Sequence, residues 1–244
     1  FLDGVRAEGR RSGISQATLQ RALAGIRPND RVLELDRRQP EFTQTWEQYR
    51  DARLSQTRID GGRRAFAENR ATLEAVQARF RVSARIVVAI WGLETNYGGF
   101  TGNFNVIEAL ATLAWDGRRS AYFRNELLAA LRILDAGNIS PDRMRGSWAG
   151  AMGHPQFMPS NFDRLAVDMD GDGRRDIWDS KADALGSIAN YLARSGWREE
   201  ELWGREVILP PGFNPEDARR ENTRPLREWV AMGVRRPDGS ALPG

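Results

Sequence analysis

The run Ile86-Val87-Val88-Ala89-Ile90-Trp91-Gly92-Leu93 leads into a single acid, Glu94. An apolar run of this kind reads as a helix buried all round. Ser83 supplies an N-cap, and Gly98 and Gly99 supply a stop. Ile90 and Trp91 precede Glu94 by four and three residues, so a helix would place all three on one face. A carboxyl held against Ile and Trp loses hydration, which disfavours its charged form. Its pKa should rise, and the group could then donate a proton near neutral pH. The spacing alone also permits a plainer reading, a helix-end Glu reaching water past a core, because perturbed carboxylates mark sites only statistically.

A second concentration of acids lies in DMDGDGRRDIWD, from Asp168 to Asp179. Counted from Asp168, acids fall at positions 1, 3, 5 and 9 as Asp168, Asp170, Asp172 and Asp176, with Gly173 at the sharp turn. The Arg174 carbonyl comes next, and Ile177 is an apolar anchor. This is the pattern of a calcium loop, in which Ca²⁺ takes about six to eight oxygens. Asp179 stands where such loops usually carry a Glu one methylene longer, and Asp183 is an alternative closing ligand. The bland alternative is a polar turn. Crowded carboxylates repel without a cation, which favours a bound Ca²⁺, and a lone loop suits a structural ion better than a sensor.

The elements that must position these groups read as mostly helical. Ser15 caps a helix through Leu19, Ala22 and Leu23, and Pro28 interrupts it. After the short run Val32–Leu35, Pro40 precedes a segment with Phe42, Trp46 and Tyr49 on one stripe. Arg63 to Phe80 reads as one long amphipathic helix through Phe66, Leu73 and Val76. Asn105 and Glu108 form a capping box for a helix reaching about Trp115. Ser120 caps another through Phe123, Leu127, Leu131 and Leu134, ended by Gly137, and Ser140-Pro141 reads as a further helix start. Gly146 to Phe162 is too rich in Gly and Pro to be one regular element. Asp179 or Ser180 opens a helix through Ala184, Ile188, Tyr191 and Leu192, closed near Gly196. Val207-Ile208-Leu209 is the clearest strand, and Pro225 opens a last helix ended by Gly233. The class is mainly α with a little β (α+β).

Composition narrows the chemistry. The 244 residues contain no cysteine, which removes disulfides, thiol catalysis and Cys-ligated zinc. His154 is the one histidine, so multi-His metal sites are excluded and a Ser-His-Asp triad would have a single candidate base. A net charge of +3 and a pI near 9.8 suit an anionic partner. Basic pairs are scattered, with no block fit for a nucleic-acid tail. No apolar run approaches the roughly 18 residues of a transmembrane helix. The chain opens at Phe1 without Met, as a processed or trimmed form would. Eight Trp residues fit either core packing or a carbohydrate groove.

These stretches also occur in a recognisable order. ETNYGG with Glu94, RRSAYF from Arg118, GSWAGAMGHPQFMPSNF, the DMDGDGRRDIW loop and DALGSIANYL closely resemble the lytic murein transglycosylase B family. Gly13-Ile14-Ser15 and Asp36-Arg37-Arg38-Gln39-Pro40-Glu41-Phe42 resemble it as well. The resemblance implies a lysozyme-like core, residues 81–200 with the calcium-type loop. It also implies a flanking helical domain, 1–80, and a small β-containing segment, 201–244.

It implies non-hydrolytic cleavage of peptidoglycan between N-acetylmuramic acid and N-acetylglucosamine, the muramic acid O6 attacking its own C1 to leave a 1,6-anhydro product. Ordinary glycosidases need two carboxylates. Here Glu94 alone would protonate the glycosidic oxygen and then take the O6 proton. By matching position, Ser147 and Gln156 would hydrogen-bond the sugar, Arg118 and Arg119 would line the groove near a substrate carboxylate or peptide, and Tyr191 would place the Glu or the muramyl ring. Asp168, Asp170, Asp172 and the Arg174 carbonyl match the family's calcium loop, and no cofactor serves the chemistry. The location implied is the periplasm, either free there or associated with the outer membrane, with room for a lipid anchor on a full-length precursor.

Two departures accompany the resemblance. His154-Pro155 stands where members vary, which makes His154 a loop residue rather than a catalytic base. The family also continues into a C-terminal segment with a strand-like run, an Asn-Phe pair and several tyrosines, and that part is absent from this sequence. The rivals are a non-catalytic peptidoglycan-binding scaffold and a goose-type lysozyme hydrolase. The scaffold would not need Glu94, and the hydrolase would need a second acid beside it.

Overall fold

The computed structural model describes residues 1–38 and 45–243, in two compact units, Phe1–Arg198 and Glu199–Gly244. Gln39, Pro40, Glu41 and Phe42 lie outside the described residues. In the first unit the order is α1 (Leu2–Arg11), α2 (Gln16–Ala22), α3 (Asp30–Arg37), α4 (Trp46–Arg53), α5 (Gln56–Glu68), α6 (Arg70–Phe80) and α7 (Ala84–Thr95). β1 (Phe104–Asn105), α8 (Val106–Asp116), α9 (Ser120–Asp135), β2 (Arg145–Gly146), α10 (Pro159–Leu165) and α11 (Lys181–Arg194) complete it. The only named strands among the described residues are β1 and β2, paired antiparallel as Phe104 with Gly146 and Asn105 with Arg145. The chain is therefore mainly α.

Two apolar cores divide the first unit. One joins Val5, Leu19 and Val32 to Leu110, Leu127, Leu131, Met144 and Phe162, so α1 to α3 pack on α8, α9 and α10. The other joins Leu73, Val76, Val87, Val88 and Trp91 to Leu185 and Ile188, so α6, α7 and α11 pack together. Burying side chains of this size stabilises by about 1.5–3 kcal/mol each before entropic costs. Helices from residues 1–80 are shared between both cores.

Several local expectations change. The long helix expected from Arg63 breaks at Asn69, which ends α5 and begins α6 and spends its side-chain N–H on Ala65 O at 2.8 Å. Ser120 is not a cap: its hydroxyl donates to Ala114 O at 2.7 Å across the αL turn at Gly117, and Arg119 takes the N-cap position. Asn105 does cap α8, accepting from Glu108 N, whereas the Glu108 carboxylate accepts a hydrogen bond from Asn29 Nδ2. Ser140-Pro141 starts no helix. Its single turn (Met144 N to Ser140 O, 3.0 Å) gives way at once to β2.

In the second unit, Glu199–Gly244, α12 (Leu226–Ala231) comes after a 3₁₀ turn at Pro215–Ala218. Val207–Leu209 is not a strand. Only Ile208 pairs, with Arg235, because Pro210 and Pro211 offer no N–H to extend a ladder. Val234 and Leu242 form its buried residues, and Phe213 packs on Trp229.

Candidate active site

Helix α7 carries Glu94 in its last turn. The helix is not buried all round: Arg85, Ala89 and Leu93 form an exposed stripe, while Val87, Val88 and Trp91 face the second core. Its stop also comes earlier than the glycines, because Asn96 (φ 50) and Tyr97 (φ 60) both take the left-handed conformation. Ser83 occupies the N-cap position without a side-chain capping bond.

Glu94 opens into a cleft of about 320 Å³ lined by Ile90, Glu94, Pro155, Gln156, Phe157, Asn161, Ile188, Tyr191 and Leu192. Ile90 shares this cleft as expected, but Trp91 does not. One helical residue is a rotation of about 100°, so Trp91 sits some 60° round from Glu94, enough to send its indole into the core. The side chain of Glu94 is solvent-exposed, yet the cleft walls strip enough water from the carboxyl to raise its pKa above 4.5, against the opposing positive charge of Arg53. Among the described residues, no other carboxylate lines this cleft.

The facing wall is the irregular stretch after β2. Gln156 is held at φ 50, a strained conformation for a non-glycine residue. Its side-chain amide donates to Thr101 O at 3.0 Å and to Gly153 O at 2.9 Å, which fixes the loop around the strain. Tyr191, 41% exposed on α11, packs its ring 5.9 Å from Phe157. Glu94, Gln156 and Tyr191, which the family resemblance implies act together, therefore line one cleft.

In the aspartate loop, carboxylate oxygens of Asp168, Asp170 and Asp172 lie within 4.8 Å of one another. Backbone N–H groups of Gly173 and Gly171 hold the Asp168 carboxyl below its ordinary value. Asp176 turns away: its Oδ1 accepts from the backbone of Trp178 and Asp179 at 3.0 and 2.9 Å. Asp183 is fully buried and braces the loop from beneath, taking N–H bonds from Met169 and Asp176 at 2.7 Å each. Burial raises its pKa despite those bonds. Asp179 pairs with Arg143. The three convergent carboxylates fit one hard cation.

The family model described as a transglycosylase SLT domain matches residues 1–244. The chain belongs to the transglycosylase SLT-domain family.

Over 216 residues the chain is 34% identical to the membrane-bound lytic murein transglycosylase B of Escherichia coli (strain K12). That match covers 82% of this chain and 60% of the relative, so the chain spans about three fifths of that protein. Among solved structures, SltB3 from Pseudomonas aeruginosa in complex with NAG-anhNAM-pentapeptide superposes with a TM-score of 0.96 at 47% identity. It covers 100% of this chain and 65% of SltB3. Slt35 of Escherichia coli in complex with calcium gives a TM-score of 0.83 at 30% identity over 96% of this chain and 74% of that one. The fold is thus the lysozyme-like one of these transglycosylases.

Other residues expected in the site of this SLT domain lie outside the cleft lining. Arg118 and Arg119 both grip Asp36, which is 3% exposed: Arg118 Nε and Nη2 at 2.9 and 2.5 Å, Arg119 Nη2 at 2.8 Å. The Ser147 hydroxyl accepts from Ala149 and Ala151 N at 3.3 and 3.0 Å, organising the turn before Met152. His154 is 8% exposed and bonds Trp91 Nε1 through its Nδ1, away from the cleft lining.

Asn161, Phe157 and Pro155 line the cleft; sequence reasoning assigned no site role to the first two and marked Pro155 only as a position where family members vary. They lie inside the Gly146–Phe162 stretch, but nothing in residue type separates Asn161 from a turn residue. Arg53 was missed as well. Its effect on Glu94 crosses some forty residues of chain, and no local pattern reports it.

Proposed function

We propose that this chain is a peptidoglycan lytic transglycosylase in which Glu94 is the single general acid and base. One observation carries the reading: a lone carboxyl with a raised pKa in a cleft whose described lining holds no second acid. An inverting or retaining hydrolase needs two carboxylates. A scaffold has no use for a desolvated acid. The family's substrate supplies the second nucleophile itself, and the NAG-anhNAM-pentapeptide bound by SltB3 is a product of that type.

Protonated Glu94 gives its proton to the glycosidic oxygen between N-acetylmuramic acid and N-acetylglucosamine, and the C1–O bond breaks. The carboxylate then takes the proton from the muramic acid O6 as O6 bonds to C1. No water is consumed, and Glu94 ends protonated. Gln156, Asn161 and Tyr191 would orient the sugar, with Phe157, Pro155 and Leu192 as the apolar wall. Ser147 would support that wall through its turn, and Arg118 and Arg119 would present their exposed edges to substrate carboxylates.

A Ca²⁺ ion, when bound, would hold the loop together by neutralising Asp168, Asp170 and Asp172, with the Arg174 carbonyl as a further ligand. It takes no part in the chemistry. Among the described residues no helix is long and apolar enough to cross a membrane. A peptidoglycan substrate argues for a periplasmic location. Incubation of purified peptidoglycan with the wild-type chain and with Glu94→Gln tests the reading: soluble muropeptides should appear only with the wild type, and equal release by both would reject it.

A further inference from the structure

His154 is buried behind the cleft, between α7 and the Ile177–Trp178 segment, and next in sequence to Pro155 of the cleft lining. Its Nδ1 accepts the indole N–H of Trp91 at 2.8 Å, and its carbonyl accepts the hydroxyl of Thr95 at 3.1 Å. Trp91 and Thr95 flank Glu94 on α7, three residues before it and one after. On its other side the His154 N–H donates to Ile177 O at 2.9 Å, and the ring bonds the Trp178 backbone. Nδ1 is therefore the unprotonated nitrogen and Nε2 the protonated one. Two residues later in the chain stands Gln156, on the wall opposite Glu94. The contact is close on every side. Thr95 Oγ1 also accepts from Gly98 N at 3.1 Å, and Gly98 (φ +82) has no room for a Cβ, which would collide with the imidazole.

We infer that His154 is a positioning residue: its Nδ1, by holding the Trp91 indole, fixes the last turn of α7 and so the placement of Glu94 relative to Gln156. The inference rests on the proposed role of Glu94 and adds to it a residue that never touches substrate. The physical reason is that leaving a buried indole N–H without an acceptor costs free energy, and here the acceptor belongs to the segment that runs directly into the Pro155–Phe157 wall of the cleft. Losing it frees the helix end to rotate, and a misplacement of about 1 Å can cost on the order of 10²-fold in rate.

Three variants test it: His154→Leu removes the acceptor, Trp91→Phe removes the donor, and His154→Asn keeps an acceptor near the position of Nδ1. Two readouts are taken on each: kcat and KM for peptidoglycan cleavage, and the pKa of the Glu94 carboxyl by carbon NMR titration. His154→Leu and Trp91→Phe should lower kcat about 10- to 100-fold with KM within about twofold. Both should move the Glu94 titration from its wild-type position, and His154→Asn should restore both readouts most of the way.

Unchanged kcat and unchanged Glu94 titration, even with a lower melting temperature, would overturn the inference, because a merely structural contact behaves that way. Failure of His154→Asn to restore either readout would overturn it too. If the wild type itself cleaves nothing, the functional reading falls. The Glu94 titration then still decides whether His154 sets that carboxyl's surroundings.

Discussion

Asp36, buried near the end of α3, accepts bonds from both Arg118 and Arg119, the adjacent residues that lead into α9. Burial works to raise its pKa, but the two guanidinium groups outweigh it, and the carboxyl titrates below 3.8. A depressed carboxylate stabilises the fold fully above its ordinary value and loses that contribution as pH falls through the depressed one. Asp36→Asn should therefore lower stability at neutral pH. The guanidinium groups are about half exposed (51% and 43%), so the cost is about 1–2 kcal/mol. In denaturant melts the wild-type advantage should vanish in strong acid; an advantage independent of pH would contradict the ion pair.

Glu94 is the opposite case. Desolvation raises its pKa, so the folded state favours the protonated acid, and at pH above that raised value the ionised group destabilises the fold. Glu94→Gln should slightly raise the melting temperature at neutral pH while lowering cleavage by about 10²–10⁴-fold. A variant that both melts lower and cleaves normally would remove Glu94 from the account.

Arg53 holds the Glu94 pKa down against that desolvation. Because cleavage begins with protonated Glu94, the alkaline limb of kcat/KM should track its pKa. Replacing Arg53 with Gln should move that limb to higher pH, and the rate profiles of the two proteins would show it. An unmoved or lowered limb would mean that another group sets the profile.

Calcium should raise the melting temperature and a chelator should lower it. Binding at 100 times the dissociation constant would add about 2.7 kcal/mol. Asp170→Asn should weaken the response, since Asp170 is one of the three convergent carboxylates. Identical melts with and without Ca²⁺ would leave the loop a polar turn.

Much of the fold was legible because periodicity and caps are local. Asn105, Ser15 and Ser180 cap their helices as their residue types imply. Glu94, Gln156 and Tyr191 meet in one cleft although 62 and 35 residues separate them in turn. The illegible part depends on direction. Trp91 and Ile90 are equally apolar neighbours of Glu94, but the helix sends one to the core and the other to the cleft. Arg118 and Arg119 read as exposed charges because Asp36, their partner, lies some eighty residues away. His154 read as a variable loop residue, and its bond to Trp91 appears only when two distant segments pack. Asp183 and Asp176 count as ligands by spacing, yet their oxygens face backbone N–H groups.

Mass spectrometry of the soluble muropeptides released from purified peptidoglycan tests the central claim most directly. Intramolecular attack by O6 consumes no water. The account therefore predicts 1,6-anhydromuramyl products, lighter by one water per cleavage than hydrolytic ones, from the wild type and not from Glu94→Gln. Hydrated products with a reducing muramic acid end would contradict it and assign the cleft to a hydrolase.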